Sequence, residues 1–383
     1  MKKTFVLLFA LLLAGSTIAQ EMGLQYVRVN DQTISYIGGL GANRKEIILP
    51  TLGKYTAYKA DLHVHSSDAS SDADVRAKFR MTEAWIDGLD VVAITDHMSI
   101  RPVKEADQNT PAEVQAKRGG KVAKSVELAT QTAPRYGMLV IPGVELTGNM
   151  KPQGHFNALF TTDNKAIYDY DGLQTLRNAR EQGALIMHNH PSGPTQMGEQ
   201  TNDFVKAAYA ENLIDGIEVM NGFQFYPGAV DIANQGKMFV SANTDLHGVS
   251  SQFYKDNGHL RNMTIIYAKN FTLQGLREAI EARRTLAYSF GTLAGSEKLL
   301  TEFFEASVEV KLLTQNTKKK ISRIMFTNKT SLPFVMRING SKCASIKPLS
   351  SIIIEVNVLN SVDCEVLSMW CGSESHPSVK MKF

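Results

Sequence analysis

Apolar runs of strand length alternate with helical segments through the middle of this chain of 383 residues. Most of the runs end in polar residues and are followed by a segment with helical periodicity. Seven such runs lie at 58–65, 89–95, 138–145, 155–160, 184–188, 216–220 and 237–243, and a further apolar run covers 263–269. Alternation on this scale predicts an α/β fold with parallel strands covered by helices, as a barrel or an open sheet.

Helical segments lie between these runs, at 75–86, 111–136, 172–182, 202–212, 228–235 and 272–283. Pro111 after Thr110 is a favourable helix start, and Gly137 and Gly183 lie where helices are expected to end. The connections 100–110 and 191–200 are candidates for loops that cover a substrate, because binding residues concentrate on surface loops.

The first run ends in Asp61-Leu-His-Val-His65. Residues two apart in a strand point to the same face, so we expect His63 and His65 to lie side by side. Neutral imidazole is the commonest metal ligand, and two imidazoles are a poor filling for an apolar core. Alone, the pair is also compatible with a solvated loop.

Similar residues follow the other strands. The carboxyl ends of strands in parallel α/β folds meet at one edge, so residues distant in sequence would converge there. Seven of the nine histidines belong to this series. Its members are His63, His65, Asp68, Asp72, Asp96, His97, Glu145, His155, His188, His190, Asp245 and His247.

Each strand end also has a structural explanation of its own. The pair 96–97 could cap a helix, and Glu145 could be a solvated turn residue. His155 could belong to the core, and the histidines at 188–190 could belong to a turn. One metal site explains all of them together, and we therefore predict one. Its ligands are nitrogen and oxygen atoms, because the cysteines lie elsewhere in the sequence.

The amino terminus predicts export. Residues 1–19 contain two lysines, an apolar run from Phe5 to Ala14 and small residues before Ala19, the pattern of a cleaved secretory signal peptide. The run is shorter than the roughly 20 residues of a membrane anchor, so we expect no membrane span after signal removal. We expect secretion across the inner membrane, to the periplasm of a Gram-negative source, with 20–54 as a lead-in segment.

The composition is that of a globular protein, with 43% hydrophobic and 21% charged residues. The formal net charge is +3, and Lys2 and Lys3 lie in the predicted signal peptide. The mature chain would be nearly neutral, so neither a nucleic-acid partner nor an anionic membrane surface is expected. The sequence leaves the oligomeric state open.

From about Thr301 helical periodicity gives way to short β-rich runs, at 306–312, 321–326, 334–338, 352–356, 364–370 and 379–383. Asn339-Gly340 is a hairpin signal, and the spacing predicts a small all-β sandwich domain over 301–383. Packing against the preceding domain and ligand binding are both open as its role. An oxidising compartment would permit one disulfide among Cys343, Cys364 and Cys371.

Six motifs resemble the polymerase and histidinol phosphatase (PHP) superfamily in order and approximate spacing, over roughly residues 55–290. They are Asp61-Leu-His-Val-His65, Ile94-Thr-Asp-His97, Gly143-Val-Glu145, Gly154-His-Phe-Asn157, Asn189-His-Pro191 and Asp245-Leu-His247. The resemblance implies a distorted (β/α)7 barrel, related to the TIM barrel, over 55–300, and usually three metal ions. It is closest to exported bacterial PHP phosphoesterases with a small β-rich C-terminal domain, some of them described as phosphodiesterases.

The resemblance also implies three sets of metal ligands. They are His63, His65, Glu145 and Asp245; then Glu145, His155 and His190; and then Asp72, His97 and His247. The family usually has Ser-Asp-Gly soon after His-x-His, whereas Ser71-Asp72-Ala73 comes about two residues late here. Asp68 therefore competes with Asp72, which is favoured because it restores the spacing to the residues that follow.

Two to three divalent ions amid three carboxylates and neutral imidazoles would leave excess positive charge. Such a site binds an anion and lowers the pKa of a bound water to about 7. We therefore predict hydrolysis of a small phosphate mono- or diester by in-line attack of a metal-bridging hydroxide. Ligation by imidazole and carboxylate without thiolate suits zinc, manganese or iron.

Other polar residues are expected to support these ligands. Asp61, Asp96 and Asn189 would accept hydrogen bonds from the non-ligating ring nitrogens of the histidines. His188 is a further partner of this kind, or the proton donor to the leaving group. Arg101 and Lys151 are candidates for phosphate contact, with a solvated surface position as the alternative. The candidate catalytic residues outside the ligand sets are thus Asp96, Arg101 and His188.

Two alternative functions stay open. One is a module that holds metal and binds an extracytoplasmic ligand without turnover. A gap in the ligand series would favour that module, and the sequence has none. The other is an amidohydrolase acting on a carbon–nitrogen bond, which uses similar metals.

Overall fold

The computed structural model describes residues 26–36, 43–99, 111–147, 154–169, 171–191 and 203–383. The predicted signal peptide lies outside these residues. The chain divides into two compact units, residues 1–45 and 46–383. In the first unit, strand β1 (Tyr26–Asn30) pairs antiparallel with β2 (Thr33–Tyr36).

One mixed sheet is the centre of the second unit. Its first twelve strands are β3 (Thr56–Val64), β4 (Val91–Ile94), β5 (His97–Ser99), β6 (Leu139–Thr147), β7 (His155–Leu159), β8 (Leu185–His188), β9 (Gly216–Asn221), β10 (Gln224–Phe225), β11 (Phe239–Asn243), β12 (Met263–Ala268), β13 (Thr285–Ser289) and β14 (Thr292–Ala294). Parallel pairing joins β3, β4 and β6, and it also joins β8, β9 and β11. A bridge between Val64 and Leu246 brings the chain after β11 back to β3. The sheet is therefore strongly curled, in agreement with the predicted α/β class.

Strand β7 departs from the prediction of parallel strands. It pairs antiparallel with both β6 and β8, with Thr147 opposite His155. Only residues 148–154 separate β6 from β7, and a parallel crossover needs about a dozen residues or more. The reversal places the start of β7 at the edge where its parallel neighbours end.

Helices accompany the strands at all six predicted places. The helices of the described residues are α1 (Ala77–Ile86), α2 (Pro111–Thr132), α3 (Gly172–Glu181), α4 (Asp203–Ala210), α5 (Pro227–Gly236), α6 (Ser250–Phe253), α7 (Leu273–Glu281) and α8 (Glu297–Ser307). Helix α7 shows how they pack, since its buried Leu276 and Ile280 share a core with Ala60 and Leu62 of β3. Among the described helices, none combines the length and hydrophobicity needed to cross a bilayer.

Helix α8 corrects the expectation that helical structure ends near residue 301. Ser296 caps the helix by accepting a hydrogen bond from the Leu299 N–H, and the helix continues to Ser307. Its buried side chains include Leu300, Phe303 and Phe304, which have helical spacing. The β-branched and aromatic residues that become frequent after residue 301 made the helical periodicity of 297–307 hard to recognise in the sequence.

Two small antiparallel sheets follow α8, as predicted for an all-β segment. Their strands are β15 (Val308–Asn316), β16 (Ile321–Asn328), β17 (Phe334–Ile338), β18 (Lys342–Ile346), β19 (Ser351–Val356), β20 (Ser361–Val366) and β22 (Ser378–Lys382), and β21 (Met369–Trp370) joins the large sheet through β14. The sheet orders are β15-β16-β19 and β18-β17-β20-β22, and both sheets contribute to one buried core. Cys343, Cys364 and Cys371 are free thiols.

Candidate metal centre

Eight of the nine predicted metal ligands converge at one edge of the large sheet. They form four groups of three residues, and the donor atoms of each group all lie within 4.8 Å of one another. The groups are His65, His97 and His247; His63, His65 and Glu145; His63, His190 and Asp245; and Glu145, His155 and His190. The ninth residue, Asp72, lies beside them, with its Oδ2 atom 3.4 Å from His97 Nε2.

The nine residues differ in exposure, and two names follow from that difference. The inner set has side chains that are 0–21% exposed, and the outer set has side chains that are 25–58% exposed. The inner set is His63, His65, Glu145, His155, His190 and Asp245. The outer set is Asp72, His97 and His247.

Glu145 lies at the middle of the inner set. Its Oε1 atom is 3.3 Å from His155 Nδ1 and 3.4 Å from His63 Nε2. Its Oε2 atom is 2.5 Å from His97 Nδ1, so the carboxylate also faces the outer set. Asn189 donates a hydrogen bond of 2.9 Å to Oε1 and fixes the orientation of the carboxylate. Glu145 therefore has the position expected of a shared ligand.

His63 and His65 present their Nε2 atoms to each other at 3.0 Å. Asp245 Oδ1 lies 3.2 Å from the first of these nitrogens and 2.9 Å from the second. Two nitrogens that bind one ion at about 2.1 Å lie roughly 3 Å apart when their bonds meet near a right angle. The donor types and their spacing therefore fit a divalent cation.

The outer set is joined through the Nε2 atoms of His97 and His247, which are 3.2 Å apart. Asp72 Oδ2 is 3.5 Å from the His247 nitrogen. His247 Nδ1 donates to the backbone carbonyl of Asp245 at 2.9 Å, so its Nε2 atom carries the lone pair. The Asp68 carboxylate instead accepts hydrogen bonds from Arg76 Nε and from the Ala77 N–H at the start of α1.

Burial and charge act against each other in the inner set. Burial alone would lower the pKa of His63, but the carboxylates of Asp245, Glu218 and Glu145 raise it well above its ordinary value. Burial and the neighbouring His97 lower the pKa of His65 to about 4, although Asp245 opposes them. Adjacent imidazoles in one site thus prefer opposite protonation states.

The carboxylates are held in their charged form. Burial alone would raise the pKa of Glu145 and Asp245, but the surrounding imidazoles, led by His63, hold it well below the ordinary range. Burial lowers the pKa of His97, but the carboxylates of Glu145, Asp72 and Asp245 together outweigh burial and raise this pKa to about 9. A bound cation would take the place of these protons.

Glu218 is a site residue that the sequence interpretation missed. It lies on β9, is fully buried, and its Oε1 atom accepts the His63 Nδ1–H at 3.2 Å. Its two oxygens also accept hydrogen bonds from the His190 N–H and from the side-chain amides of Asn221 and Asn243. The available signal was a single charged residue inside the apolar run 216–220.

Asp96 supports the ligands differently from the prediction. Its oxygens accept hydrogen bonds from the Ser66 N–H and hydroxyl and from the Ser70 hydroxyl, at 2.6–2.7 Å. Ser70 Oγ in turn lies 3.4 Å from His65 Nδ1. Asp96 therefore acts on the imidazole through a serine.

Asp61 belongs to the framework behind the site. Its carboxylate accepts hydrogen bonds from Arg261 at 2.8 Å and from the Thr244 hydroxyl at 2.5 Å. It reaches His63 through the backbone N–H at 3.3 Å, whereas the prediction was a bond to the ring. A second buried guanidinium, that of Arg80, donates to the carbonyls of His65 and His247 at 2.7 Å each.

His188 is poorly placed to donate a proton to a leaving group. Its ring is fully buried, its Nδ1 atom lies 3.0 Å from the Tyr209 hydroxyl, and the ring stacks on Phe156 with centroids 5.1 Å apart. These partners belong to α4 and to the outward face of β7, so the proton-donor alternative is not supported. The two cationic candidates for phosphate contact, Arg101 and Lys151, lie outside the described residues, as does the loop 100–110.

Two residues of the inner set have an unusual backbone. His190 has a φ of 26° and Asp245 a φ of 53°, values that residues other than glycine rarely adopt. Such conformations persist where the surrounding structure enforces them, and they cluster at functional sites. Here the His190 N–H is bound by Glu218 and the Asp245 N–H by the His63 carbonyl.

A solved structure is similar to this chain over most of its length. A solved two-domain protein of Bacteroides vulgatus, described as containing a predicted PHP-like metal-dependent phosphoesterase, is 29% identical with a TM-score of 0.77. The match covers 90% of this chain and 100% of that protein. No protein-family model matches the chain.

Two further relatives are more distant. An uncharacterised protein of Methanocaldococcus jannaschii is 27% identical over 179 residues, which is 43% of this chain and 82% of that protein. The lesion-specific endonuclease EndoQ of Pyrococcus furiosus is 16% identical, with 63% of this chain and 59% of that protein covered. The TM-score of this match is 0.42.

The residues of the six sequence motifs and the extensive structural match thus agree. The motifs supply the side chains that meet at the sheet edge, and the match extends over nearly the whole chain. The chain is a member of the polymerase and histidinol phosphatase superfamily.

Proposed function

We propose that the protein is a metal-dependent hydrolase of small phosphate esters. The observation that supports this proposal is the convergence of imidazole and carboxylate donors from successive strand ends at one edge of the sheet. Several of the imidazoles are also fixed by oxygen acceptors on their other nitrogen, as with His63 on Glu218 and His247 on a backbone carbonyl. Oriented imidazoles of this kind are typical of metal ligands.

In this proposal the inner and outer sets hold two to three divalent ions, zinc, manganese or iron. Bound ions would supply Lewis-acid stabilisation of phosphoryl oxygens and would activate water near neutral pH. Glu145 is shared between the sets, and Asp72 is preferred to Asp68 in the outer set. The strands β3, β4, β6, β7, β8, β9 and β11 would form the distorted (β/α)7 barrel.

The chain's own residues would orient the substrate and the ligands. Glu218 holds His63 with Nε2 facing the donor atoms of His65 and Asp245, and Asn189 holds the shared carboxylate of Glu145. Asp72, 58% exposed on its side chain, marks the open end of the centre, where an anionic ester would enter. The buried guanidiniums of Arg80 and Arg261 stabilise the framework of the site, through the His65 carbonyl and the Asp61 carboxylate, and are not exposed at the open end.

The test combines metal content with a panel of phosphate monoesters and diesters. The wild type should bind at least two ions and hydrolyse one ester class, and His63→Ala and Asp245→Ala should lose metal and turnover together. Asp68→Ala is the control, since its carboxylate binds Arg76 and the start of α1. Intact turnover in both ligand variants would overturn the proposal. Metal-loaded protein that is inert toward the panel would favour the binding module, and turnover of amides alone would favour the amidohydrolase.

Export and the absence of a nucleic-acid partner are also part of the proposal. The amino-terminal sequence of the protein recovered from its native host should begin after Ala19 if the predicted signal peptide is cleaved. Single-stranded and duplex oligonucleotides added to the ester panel should be left intact. Cleavage of either would replace the small substrate with a nucleic acid.

A further inference from the structure

Four aromatic side chains form a continuous cluster beside the metal centre, and we name it the aromatic shelf. Its members are Phe223, Phe253, Tyr254 and Phe290. The Phe223 ring lies 5.3 Å from Phe290, 6.0 Å from Tyr254 and 6.1 Å from Phe253, measured between centroids. Phe223 is 62% exposed although it has three aromatic neighbours. A ring held in this way presents one apolar surface to the solvent.

Two short chain segments connect the residues of the aromatic shelf to residues of the metal centre. Asn221, two residues before Phe223, donates to Glu218 and to Asp245 Oδ2 at 2.9 and 3.3 Å. Gly248 follows the outer ligand His247, and a Cβ atom at this glycine would lie 3.0 Å from the Phe253 ring. A molecule that occupies the metal centre could therefore extend directly onto the rings.

The turn that carries Phe290 is unfavourable for a bulky residue. Phe290 and Gly291 connect β13 to β14 with φ values of 46° and 81°. Two-residue hairpin turns in which both residues have a positive φ prefer the sequence Asn-Gly. The turn after β17 has that sequence, with φ values of 48° at Asn339 and 71° at Gly340. A phenylalanine at the first position is a conformational outlier, which points to a use for its ring.

Two residues of the shelf, Phe223 and Phe290, line a cavity of about 330 Å³ between the turn after β9 and the turn after β13. Phe223, Phe225 and Phe290 line it together with the polar side chains of Gln224 and Thr292. Ligand sites commonly have volumes of about 300–1,000 Å³, apolar walls and a few polar groups. The cavity is thus of a size and character that suits a planar ring with polar substituents.

We propose that the aromatic shelf binds a planar aromatic ring carried by the phosphate ester. The proposal rests on the proposed hydrolase function and specifies its substrate class, an aryl ester or a nucleotide. Aromatic rings stack on phenylalanine in offset or edge-to-face geometry, and bases stack on aromatic side chains without sequence preference. The phosphate would lie at the metal centre while the ring lies on Phe223 and Phe290.

Binding of two phosphonates tests the shelf without turnover. Phenylphosphonate and methylphosphonate share the anionic group, so calorimetry on the metal-loaded protein isolates the contribution of the ring. Stacking typically contributes enough to favour the phenyl compound by about 5- to 150-fold. Phe223→Ala should remove most of this preference. Phe79→Ala is the matched control, because Phe79 is 51% exposed on α1 and stacks on none of the shelf residues.

Phe290→Asn is the second variant, because asparagine suits the turn. It should unfold at the same or a higher temperature than the wild type and should still lose part of the preference for the phenyl compound. Equal binding of the two phosphonates by the wild type would overturn the proposal. So would an undiminished preference in Phe223→Ala.

Kinetic measurements then distinguish an aryl ester from a nucleotide as the substrate. They also test the hydrolase function separately from the aromatic shelf. For Phe223→Ala, kcat/KM should fall at least about fivefold for aryl or nucleotide esters and should be unchanged for alkyl esters. A fall for nucleotides alone identifies a nucleobase, and a fall for aryl esters alone identifies a simple aryl group. A phenyl preference without any turnover would refute the hydrolase function and retain the shelf as a binding surface.

Discussion

The inner and outer sets of the proposed metal centre contain the same kinds of side chain, imidazole and carboxylate, in different surroundings. The inner imidazole of His63 is fully buried, and a buried carboxylate, that of Glu218, holds its second nitrogen. The outer set lies at the surface, and Asp72 reaches it from a loop. Burial removes competing water and fixes orientation, so the inner set should bind its ions more tightly and exchange them more slowly.

Loss of an inner ligand should have the largest effect. We expect His63→Ala to bind at least one ion fewer and to lose well over 100-fold in turnover, which is more than loss of a supporting residue typically costs. Asp72→Ala should lose an outer ion only and keep the inner occupancy. Metal analysis after gel filtration measures both variants. Equal metal loss in the two would remove the distinction between the sets.

Glu218→Gln tests how much the buried carboxylate that binds His63 contributes to metal affinity. The amide keeps the shape but removes the charge that holds the His63 Nδ1–H, so metal affinity should fall about 10- to 100-fold. Competition with a chelator of known affinity measures the change. Glu281→Gln, a change on the exposed face of α7, serves as the control and should keep wild-type affinity.

The pH dependence should be opposite for metal binding and for the metal-free fold. His97 has a pKa raised to about 9 from 6.5. Its charged form therefore stabilises the metal-free fold fully below pH 6.5, and this stabilisation is lost as the pH rises through about 9. Over the same interval metal affinity should rise about tenfold per pH unit for each proton displaced.

Thermal unfolding of the chelated protein and metal titrations at several pH values check this prediction. In His97→Gln the metal-free protein should show a flatter stability profile across that interval. A metal affinity that is constant between pH 6.5 and 9 would contradict the assigned protonation.

Asp68→Ala should have the smallest effect on the centre. Turnover and metal content should stay within about twofold of the wild type, while loss of the hydrogen bond to the first N–H of α1 should cost about 1 kcal/mol of folding stability. Chemical denaturation and ester kinetics measure the two quantities. A loss of metal in this variant would assign Asp68 rather than Asp72 to the outer set.

Much of the fold was readable in the sequence because period and spacing are local properties. Strands β3, β6 and β11 end at Val64, Thr147 and Asn243, within two residues of the ends predicted from apolar runs that stop at polar residues. The convergence of those ends follows from the geometry of α/β sheets. The series of polar residues at the strand ends was predicted from residue type, and the resemblance to the PHP superfamily selected nine of them as metal ligands. The structure brings eight of these nine into groups of neighbouring donor atoms.

What the sequence did not reveal depends on contacts between distant residues. In the sequence, Glu218 is an isolated charged residue in a predicted strand. Its contact with His63 on β3 exists only in the folded structure. His188 and His190 were both predicted to lie at the carboxyl end of one strand, and the sequence does not show that their rings separate. The chain leaves β8 at His188 and His190 has a left-handed φ, which gives the two rings different surroundings.

The reversal of β7 also matters for how such a protein can change during evolution. Both ends of the connection between β6 and β7 lie at the edge that carries the ligands, since Thr147 pairs with His155. A longer connection between these two residues would therefore begin and end at that edge and would leave the length and register of β6 and β7 unchanged. Relatives could thus differ in what borders the metal centre while the strands that position its residues are retained.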